Sequence, residues 1–445
     1  MNVFNFSLWA TDDYHATMKS RTPSWDRKPV NYTSSLIQIS ITAMLALSAN
    51  AVQAGPRGSE FDLTATPAAG GMEGVGIVRP QDPVAMIFGN PATMNQLDGS
   101  FSFTIGASFV SPDLEATNST GADANPFVAP GAHGKSELDA AALPHAAVLH
   151  RVSPELVVGG GLTGISGLGS DFRDETGFPS LIADLKLFGA NMAVAYQATP
   201  NWGVGAAFTL GIGALQAGLA QNSGTRNGFG AGFTLGSTYN LGPVMIGGTY
   251  KSPLNVQYDK VIESSPGKFS NLTLQQPQEV VLGISTSDSL LKDTLFELDF
   301  RYKNWDNATG YQDFWKDQYI TSAGVQHVFS SPVGPITARA GYSYGTKLAK
   351  SAKDLGGNFA GARTVNVPGM GVVPVSPAFI QAAQATVTDG YWRQSVSVGL
   401  GYGLSKQVRL DVNGSYAFDG DTRIGGFDVD GKIWSAGMGL TWTFE

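Results

Sequence analysis

The sequence predicts an all-β fold, a transmembrane antiparallel β-barrel of about fourteen strands with an N-terminal plug (hatch) inside the lumen. Three observations carry that reading. Apolar residues alternate with small or polar ones at period two, again and again from Phe101 to Phe444. The connections between these segments are short and long in turn, as in barrels with tight turns on one side of a membrane and loops on the other. Only 14% of the 445 residues are charged, against roughly 25% in an ordinary soluble protein. The hydrophobicity is spread by alternation, so that after the N-terminal region no apolar run is long enough for a membrane helix.

Residues 1–54 read as an N-terminal extension and signal peptide. From Met18 the chain gives Lys19, Arg21, Arg27 and Lys28, an apolar run from Leu36 to Ala49, and then Ala51-Val52-Gln53-Ala54. That is a basic region, an apolar stretch and a small-residue cleavage site, with the cut expected after Ala54. Residues 1–17 fit no signal pattern, which leaves both Met1 and Met18 open as the start. The chain after Ala54 holds 24 Lys and Arg against 33 Asp and Glu, a net charge of −9.

Residues 55–98 read as the plug. A glycine-rich lead (Gly70, Gly71, Gly74, Gly76) precedes Asp82–Leu97, where Pro83 and Pro91 forbid one continuous helix or a central strand. Val84, Ala85, Met86, Ile87 and Phe88 are apolar and need a packing partner. An ordinary buried loop is the plainer alternative. Within this segment Phe88, Asn90, Pro91 and Ala92 are the candidate gate residues.

Residues 99–445 read as the barrel. Candidate strands lie near 101–110, 141–151, 155–164, 185–198, 202–211, 227–239, 244–251, 278–286, 294–303, 319–329, 335–344, 391–404, 408–418 and 432–444. Val152-Ser153-Pro154, Thr199-Pro200-Asn201, Asn240-Leu241-Gly242-Pro243 and Ser405-Lys406-Gln407 supply short turns. Long loops are expected near 111–140, 165–184, 212–226, 252–277, 304–318, 345–390 and 419–431. An even strand number puts both chain ends on the short-turn side. The last strand carries Trp434, Ala436, Met438, Leu440, Trp442 and Phe444 on one face, as barrel-terminal strands do, with Glu445 one residue beyond. Tyr and Trp at strand ends suit the aromatic girdles of a membrane barrel.

Several function classes drop out. The chain has no cysteine, and its five histidines show no metal-ligand spacing. No cofactor, metal or catalytic constellation is expected, and the chain does not read as an enzyme. The acidic balance argues against nucleic acid as a partner. Gly159, Gly160 and Gly161 formally begin a GxGxxG pattern, but no helix follows; such a run in a strand marks a kink or gap in the wall, or small-residue packing. Leu215, Leu219, Leu254 and Phe269 place apolar side chains on expected loops, where they either pack together or line a groove for an apolar ligand. Lumen-facing charges are expected at Glu297, Asp299, Arg301, Lys303, Arg339, Arg409 and Asp411. Most should pair across the wall, while Arg301, Lys303 and Arg339 are candidate contacts for a substrate carboxylate.

Asp82-Pro83, Ile87-Phe88-Gly89-Asn90-Pro91-Ala92, Phe109-Val110-Ser111-Pro112, Leu298–Trp305 and Ala338–Tyr344 together resemble the FadL/TodX family of outer-membrane transporters of long-chain fatty acids and other hydrophobic compounds. The resemblance implies a monomeric fourteen-stranded barrel in the bacterial outer membrane, plugged by the hatch. It implies passive uptake of a fatty acid or hydrocarbon through a loop groove, an internal site at the hatch and a lateral opening at the third strand. Outer-membrane lipid, lipopolysaccharide and the barrel insertion machinery are the other partners it implies. Where the family carries acidic and basic residues before the twelfth strand, this chain has Val387–Arg393, with Asp389 and Arg393 as the nearest counterparts. A general porin or a structural outer-membrane barrel is the alternative, and a barrel hydrolase a third.

Overall fold

The computed structural model describes residues 66–445 apart from 120–127, 139, 179–180, 220–223, 333, 356–363, 368–370, 387–391 and 419–421. The export signal expected in 1–54 lies outside the described residues, as do the first eleven residues of the expected plug. Fourteen strands form the wall: β1 (Phe101–Asn118), β2 (Ala141–Arg151), β3 (Leu156–Asp171), β4 (Leu181–Thr199), β5 (Trp202–Leu219), β6 (Arg226–Asn240), β7 (Val244–Lys251), β8 (Glu279–Thr286), β9 (Thr294–Lys303), β10 (Gln318–Phe329), β11 (Ile336–Gly345), β12 (Gln394–Gly403), β13 (Val408–Phe418) and β14 (Phe427–Phe444). Each pairs antiparallel with the next, and β14 returns to β1 from Phe101↔Phe444 to Asn118↔Phe427, closing the barrel. A closed ladder leaves no backbone edge for lipid to meet, which is the condition for a sheet to cross a bilayer.

The alternation carries two different meanings along one strand. On the lower part of β14, Trp434 and Met438 point outward and are half or more exposed, while Ser435, Gly437 and Gly439 point in. Above Trp434 the polarity inverts. Asp428, Asp430 and Lys432 now face out, and Phe427, Val429 and Ile433 are buried inside. The same switch occurs on β1, where Phe109 is exposed below but Asp113 and Glu115 face out above, with Leu114 and Ala116 buried. On β4, Met192 and Val194 face out below, while Asp184 and Lys186 pair at 2.9 Å above, with Leu185 and Leu187 inside. The lower barrel is thus apolar out, as lipid requires. The upper barrel is polar out and apolar in, as a soluble core requires. Residues 111–118, 165–171, 181–184, 212–219 and 427–431, expected as loop, are strand and continue the ladder, with the polarity reversed at 113–116, 184–187 and 427–433.

The plug crosses the lower barrel from wall to wall. It contains a 3-10 turn at Ala69–Met72, an α-helix at Pro83–Phe88 and a second 3-10 turn at Pro91–Gln96. Each proline opens a helix, because its missing N–H costs nothing in the first turn. Asp82 Oδ1 caps the first by accepting from Ala85 N at 2.8 Å, and Asn90 Oδ1 caps the second by accepting from Ala92 N at 3.1 Å. Ala69–Met72 packs on β10 to β13, and Pro91–Gln96 on β3 to β6 across the lumen.

Wall side chains satisfy the plug's irregular backbone. Glu297 of β9 accepts from Val78 N at 2.7 Å and Arg79 N at 2.9 Å; Asp299 accepts from Gly76 N at 3.1 Å and Ile77 N at 3.4 Å. Ser397 Oγ of β12 accepts from Glu73 N at 2.9 Å, and Ser395 donates to Glu73 at 2.5 Å. Arg151 at the end of β2 donates to Leu97 O at 2.7 Å. Buried backbone without such partners would be costly, so these bonds fix where the plug rests.

The crown above the membrane is built by loops that fold inward. The hairpin Leu254–Ser265 and Lys268–Gln276 runs down against β5 and β6. The 3-10 turn Trp305–Asn307 and the helix Pro377–Thr386 complete the crown, the helix burying Ile380, Ala382 and Ala385.

Candidate functional site

The site lies where plug, wall and crown meet, and glycines make the room. An ideal Cβ on Gly236 of β6 would collide with Asn90 Oδ1, and one on Gly205 of β5 would lie 2.5 Å from Pro91 C and closer still to Ala92 N. Asn90 Nδ2 donates to Ile77 O at 2.7 Å and to Ser237 O of β6 at 3.2 Å. Asn90, Pro91 and Ala92 therefore dock on β5 and β6, and one amide side chain joins two parts of the plug to the wall.

Phe88 turns the other way, toward the glycine-rich third strand. A Cβ at Gly161 would lie 3.1 Å from Phe88 Cε2, and one at Gly159 3.3 Å from Ile87 Cδ1. The expected kink is displaced from these glycines. Gly159, Gly160 and Gly161 pair regularly with β2 on one side and β4 on the other, and the register shift falls between Gly164 and Ser166. Gly159 and Gly161 lie between β2 and the plug, a Cβ there meeting Leu149 Cδ2 at 2.6 Å and Ala146 O at 2.9 Å even before the plug atoms. The gap lies higher: the β2–β3 ladder stops at Ala146↔Leu162, although β2 continues up to Ala141 and β3 to Asp171. At its lower rim His145 Nδ1 and Thr163 Oγ1 share a hydrogen bond of 2.7 Å, and His145 Nε2 meets Ser108 Oγ of β1 at 3.2 Å. At the top Glu137 N donates to Asp171 O at 2.9 Å.

A cavity of about 100 Å³ lies beside this gap, lined by Phe88, Ile165, Asn191, Leu254, Lys251 and Glu279 among others. Leu254 belongs at the same time to the crown's apolar core with Leu185, Leu187, Leu215, Val256 and Tyr258. Burial pushes the Tyr258 hydroxyl well above its ordinary range, so it stays neutral there. Of the four predicted groove residues, Leu215 and Leu254 thus come together, Leu215 on the extended β5 rather than on a loop. Phe269 stands apart on the hairpin, 39% exposed. The backbone of Leu219 ends β5; its side chain lies outside the described residues.

The three predicted carboxylate contacts separate into two places. Register sets Lys251 of β7, Glu279 of β8 and Lys303 of β9 side by side. Glu279 Oε1 is 3.2 Å from Lys251 Nζ and 3.7 Å from Arg301 Nε, and its Oε2 is 3.3 Å from Lys303 Nζ. Arg339 lies elsewhere, at the plug's first turn, bonded to Asp411 at 2.8 Å and to Gln326 at 2.7 Å. Asp389, the family-like acid before β12, lies outside the described residues. Sequence reasoning singled out neither Glu279 nor the capping role of Glu297 and Asp299. The inward period of Glu297, Asp299, Arg301 and Lys303 was visible, but which partner each met was not.

A closed barrel with a lipid-facing belt, a fixed plug and an apolar crown defines a plugged outer-membrane transport barrel. The profile of the outer membrane protein transport protein family (OMPP1/FadL/TodX) matches residues 61–287, just over half of the chain, and the chain belongs to that family. Among solved structures, the toluene transporter TodX of Pseudomonas putida is similar at TM-score 0.60 and 16% identity, over 86% of this chain and 100% of that one. The toluene transporter TbuX of Ralstonia pickettii is similar at 0.58 and 16%, over 86% and 100%. A Pseudomonas aeruginosa FadL homologue is similar at 0.60 and 13%, over 87% and 100%. No curated protein matches the sequence.

Proposed function

We propose that this barrel takes up hydrophobic molecules, such as fatty acids or aromatic hydrocarbons, by passive diffusion along an apolar route that ends in the membrane. The crown core around Leu185, Leu187, Leu215 and Leu254 is the outer groove, and the cavity above Phe88 is the internal site. The opening between β2 and β3 above Ala146 and Leu162 is the lateral exit, and Asn90, Pro91 and Ala92 hold the plug that blocks the direct way down. The observation that carries this reading is Leu254, which belongs to the crown core and lines the cavity beside the gap. Burial of an alkyl chain contributes roughly 0.8 kcal/mol per CH₂, so a series of moderate sites binds and still releases. The remaining parts of the reading are export by cleavage after Ala54, a plug from 55 to 98, a barrel from 99 to 445, insertion by the outer-membrane machinery among lipopolysaccharide, and a monomeric state without cofactor or catalysis.

The chain has no cysteine, so a single engineered pair reports cleanly. His145→Cys with Thr163→Cys places two thiols across the lower rim of the gap. Oxidation is expected to stop uptake of a labelled alkane or fatty acid by cells, and a reductant to restore it. Uptake that persists in fully cross-linked protein would sink the lateral route.

A further inference from the structure

We propose that Asn191 is a specificity residue of the internal site, where its side-chain amide binds the hydroxyl of a ligand that is otherwise apolar, such as a phenol. This rests on the reading of the cavity beside the gap as a station on the substrate route, and it names the class of molecule held there.

Asn191 stands on β4, opposite Gly161 of β3 on one side and Thr209 of β5 on the other. It lines the cavity with Thr209, Phe88, Ile165 and Leu254. Asn191 is 4% exposed, and its Oδ1 accepts no hydrogen bond among the described residues. Buried polar atoms in folded proteins are nearly always paired, so an amide oxygen left open at the wall of a cavity marks a place for a donor on a ligand. The charged lining residues do not fill that place. Lys251 and Glu279 stand on β7 and β8, three and four strands further round the wall, and pair with each other at 3.2 Å. At roughly 4.8 Å per strand, the nearer of the two is on the order of 14 Å away. At the β4 end of the cavity an amide, not a charge, meets the ligand.

Size and chemistry narrow the class. The cavity of about 100 Å³ is of the same order as the roughly 150 Å³ space that takes up benzene, enough for one ring or a few carbons of a chain. A hydrocarbon entering here cuts the amide off from water and gives it no partner in return. A hydroxyl donates to Oδ1 and can accept from Nδ2, so it complements both ends of the amide. A site with an open polar group of this kind discriminates against the analogue that lacks the matching one. Phenol and toluene differ by this group alone, hydroxyl for methyl, and phenol is neutral at pH 7.

The test measures binding of labelled phenol and toluene by equilibrium dialysis at pH 7. It uses the full-length barrel in lipid nanodiscs, with empty nanodiscs as the blank. The quantity read is the ratio of the two affinities, which a general loss of stability leaves unchanged. Asn191→Leu, close in shape but without hydrogen bonds, is expected to lower the phenol-to-toluene ratio about fivefold, the contribution of one net hydrogen bond. Asn191→Val, a good strand former, should do the same and serves if the leucine variant fails to insert. A ratio equal to wild type overturns the proposal. Ile165→Trp fills the cavity and should weaken both ligands together. If it does so while the Asn191 variants leave the ratio unchanged, the cavity stands as the binding site and only the role of Asn191 falls. If Ile165→Trp weakens neither ligand, the internal site is wrongly placed and both readings fall.

Discussion

The lower and the upper halves of this barrel are built from the same strands under opposite rules. Below, the inward face combines small residues, where the plug lies close, with polar groups such as Glu297 and Asp299 that bond it, and the outward face is apolar because lipid surrounds it. Above, the outward face carries Asp113, Glu115, Asp428 and Asp430 because water surrounds it, and the inward face carries Leu114, Leu185, Leu187 and Val429. The two halves also hold their contents differently. The plug is held by polar bonds at defined backbone atoms as well as by apolar packing of Val84, Ile87, Phe88 and Met94 among wall residues such as Leu149, Val157 and Ala195, whereas the crown is held chiefly by non-directional apolar packing. Directional bonds fix one position; apolar packing tolerates exchange of one occupant for another. A fixed stopper below a replaceable core is the division of labour that a selective hydrophobic passage needs.

The sharpest way to break this contrast is to remove the polar bonds below. Glu297→Ala with Asp299→Ala deprives the N–H groups of Gly76, Ile77, Val78 and Arg79 of their acceptors. Each orphaned buried donor costs roughly 1–3 kcal/mol, so the plug is expected to leave its seat. Planar-bilayer recordings should then show steady ionic conductance where the wild type conducts little, and the segment should become open to protease. A silent, protease-resistant variant would mean that apolar packing alone seats the plug.

A smaller effect tests the boundary between the halves along one strand. Met438→Lys puts a charge on the lipid face of β14 and should cost about 2–4 kcal/mol, visible as a lower urea midpoint for unfolding from vesicles. Asp430→Lys, on the same face eight residues back, should change that midpoint by no more than about 0.5 kcal/mol. Equal losses would move the membrane boundary above Asp430.

The smallest effect belongs to the crown. Leu215→Asp should weaken binding of an alkane or fatty acid about tenfold while leaving the assembled barrel intact, since this part of β5 lies outside the lipid belt. Phe269→Asp, exposed on the hairpin, should leave affinity within error. The reverse order would place the outer groove on the hairpin's outer surface.

Much of this was legible in the sequence. Every strand of the wall overlaps a segment marked by alternation, because the lipid belt forces a strong period-two signal on residues such as Phe229, Phe233, Phe296 and Phe300. The crown was harder to read. At Asp428–Lys432 the alternation persists with its polarity reversed, and at Ser111–Asp113 a proline and a charge have the chemistry of a loop, so the expected strands end where only the solvent changes. On sequence grounds Pro83 and Pro91 only bar one continuous helix; that Asp82 and Asn90 cap two short helices, each opened by its proline, comes from the structure. The glycines at 205 and 236 looked like plain small residues; their role depends on a segment more than a hundred residues upstream. Arg301 and Lys303 were visible as inward charges, but their partner Glu279 lies on a neighbouring strand, and only register could supply it.

The plug's bonds also impose an order on biogenesis. Thr66, Glu73, Gly76 and Gln81 are among the first described residues of the chain, yet their partners are Asn413, Ser397, Asp299 and Arg409, far toward its other end. Early-made plug residues must wait for the late strands, while Asn90 can already meet Ser237. Contacts of such long sequence separation form late and slowly. The plug therefore cannot complete these bonds before β9, β12 and β13 are in place, close to the point at which β14 can meet β1. A seated plug is thus a certificate that the cylinder was all but completed.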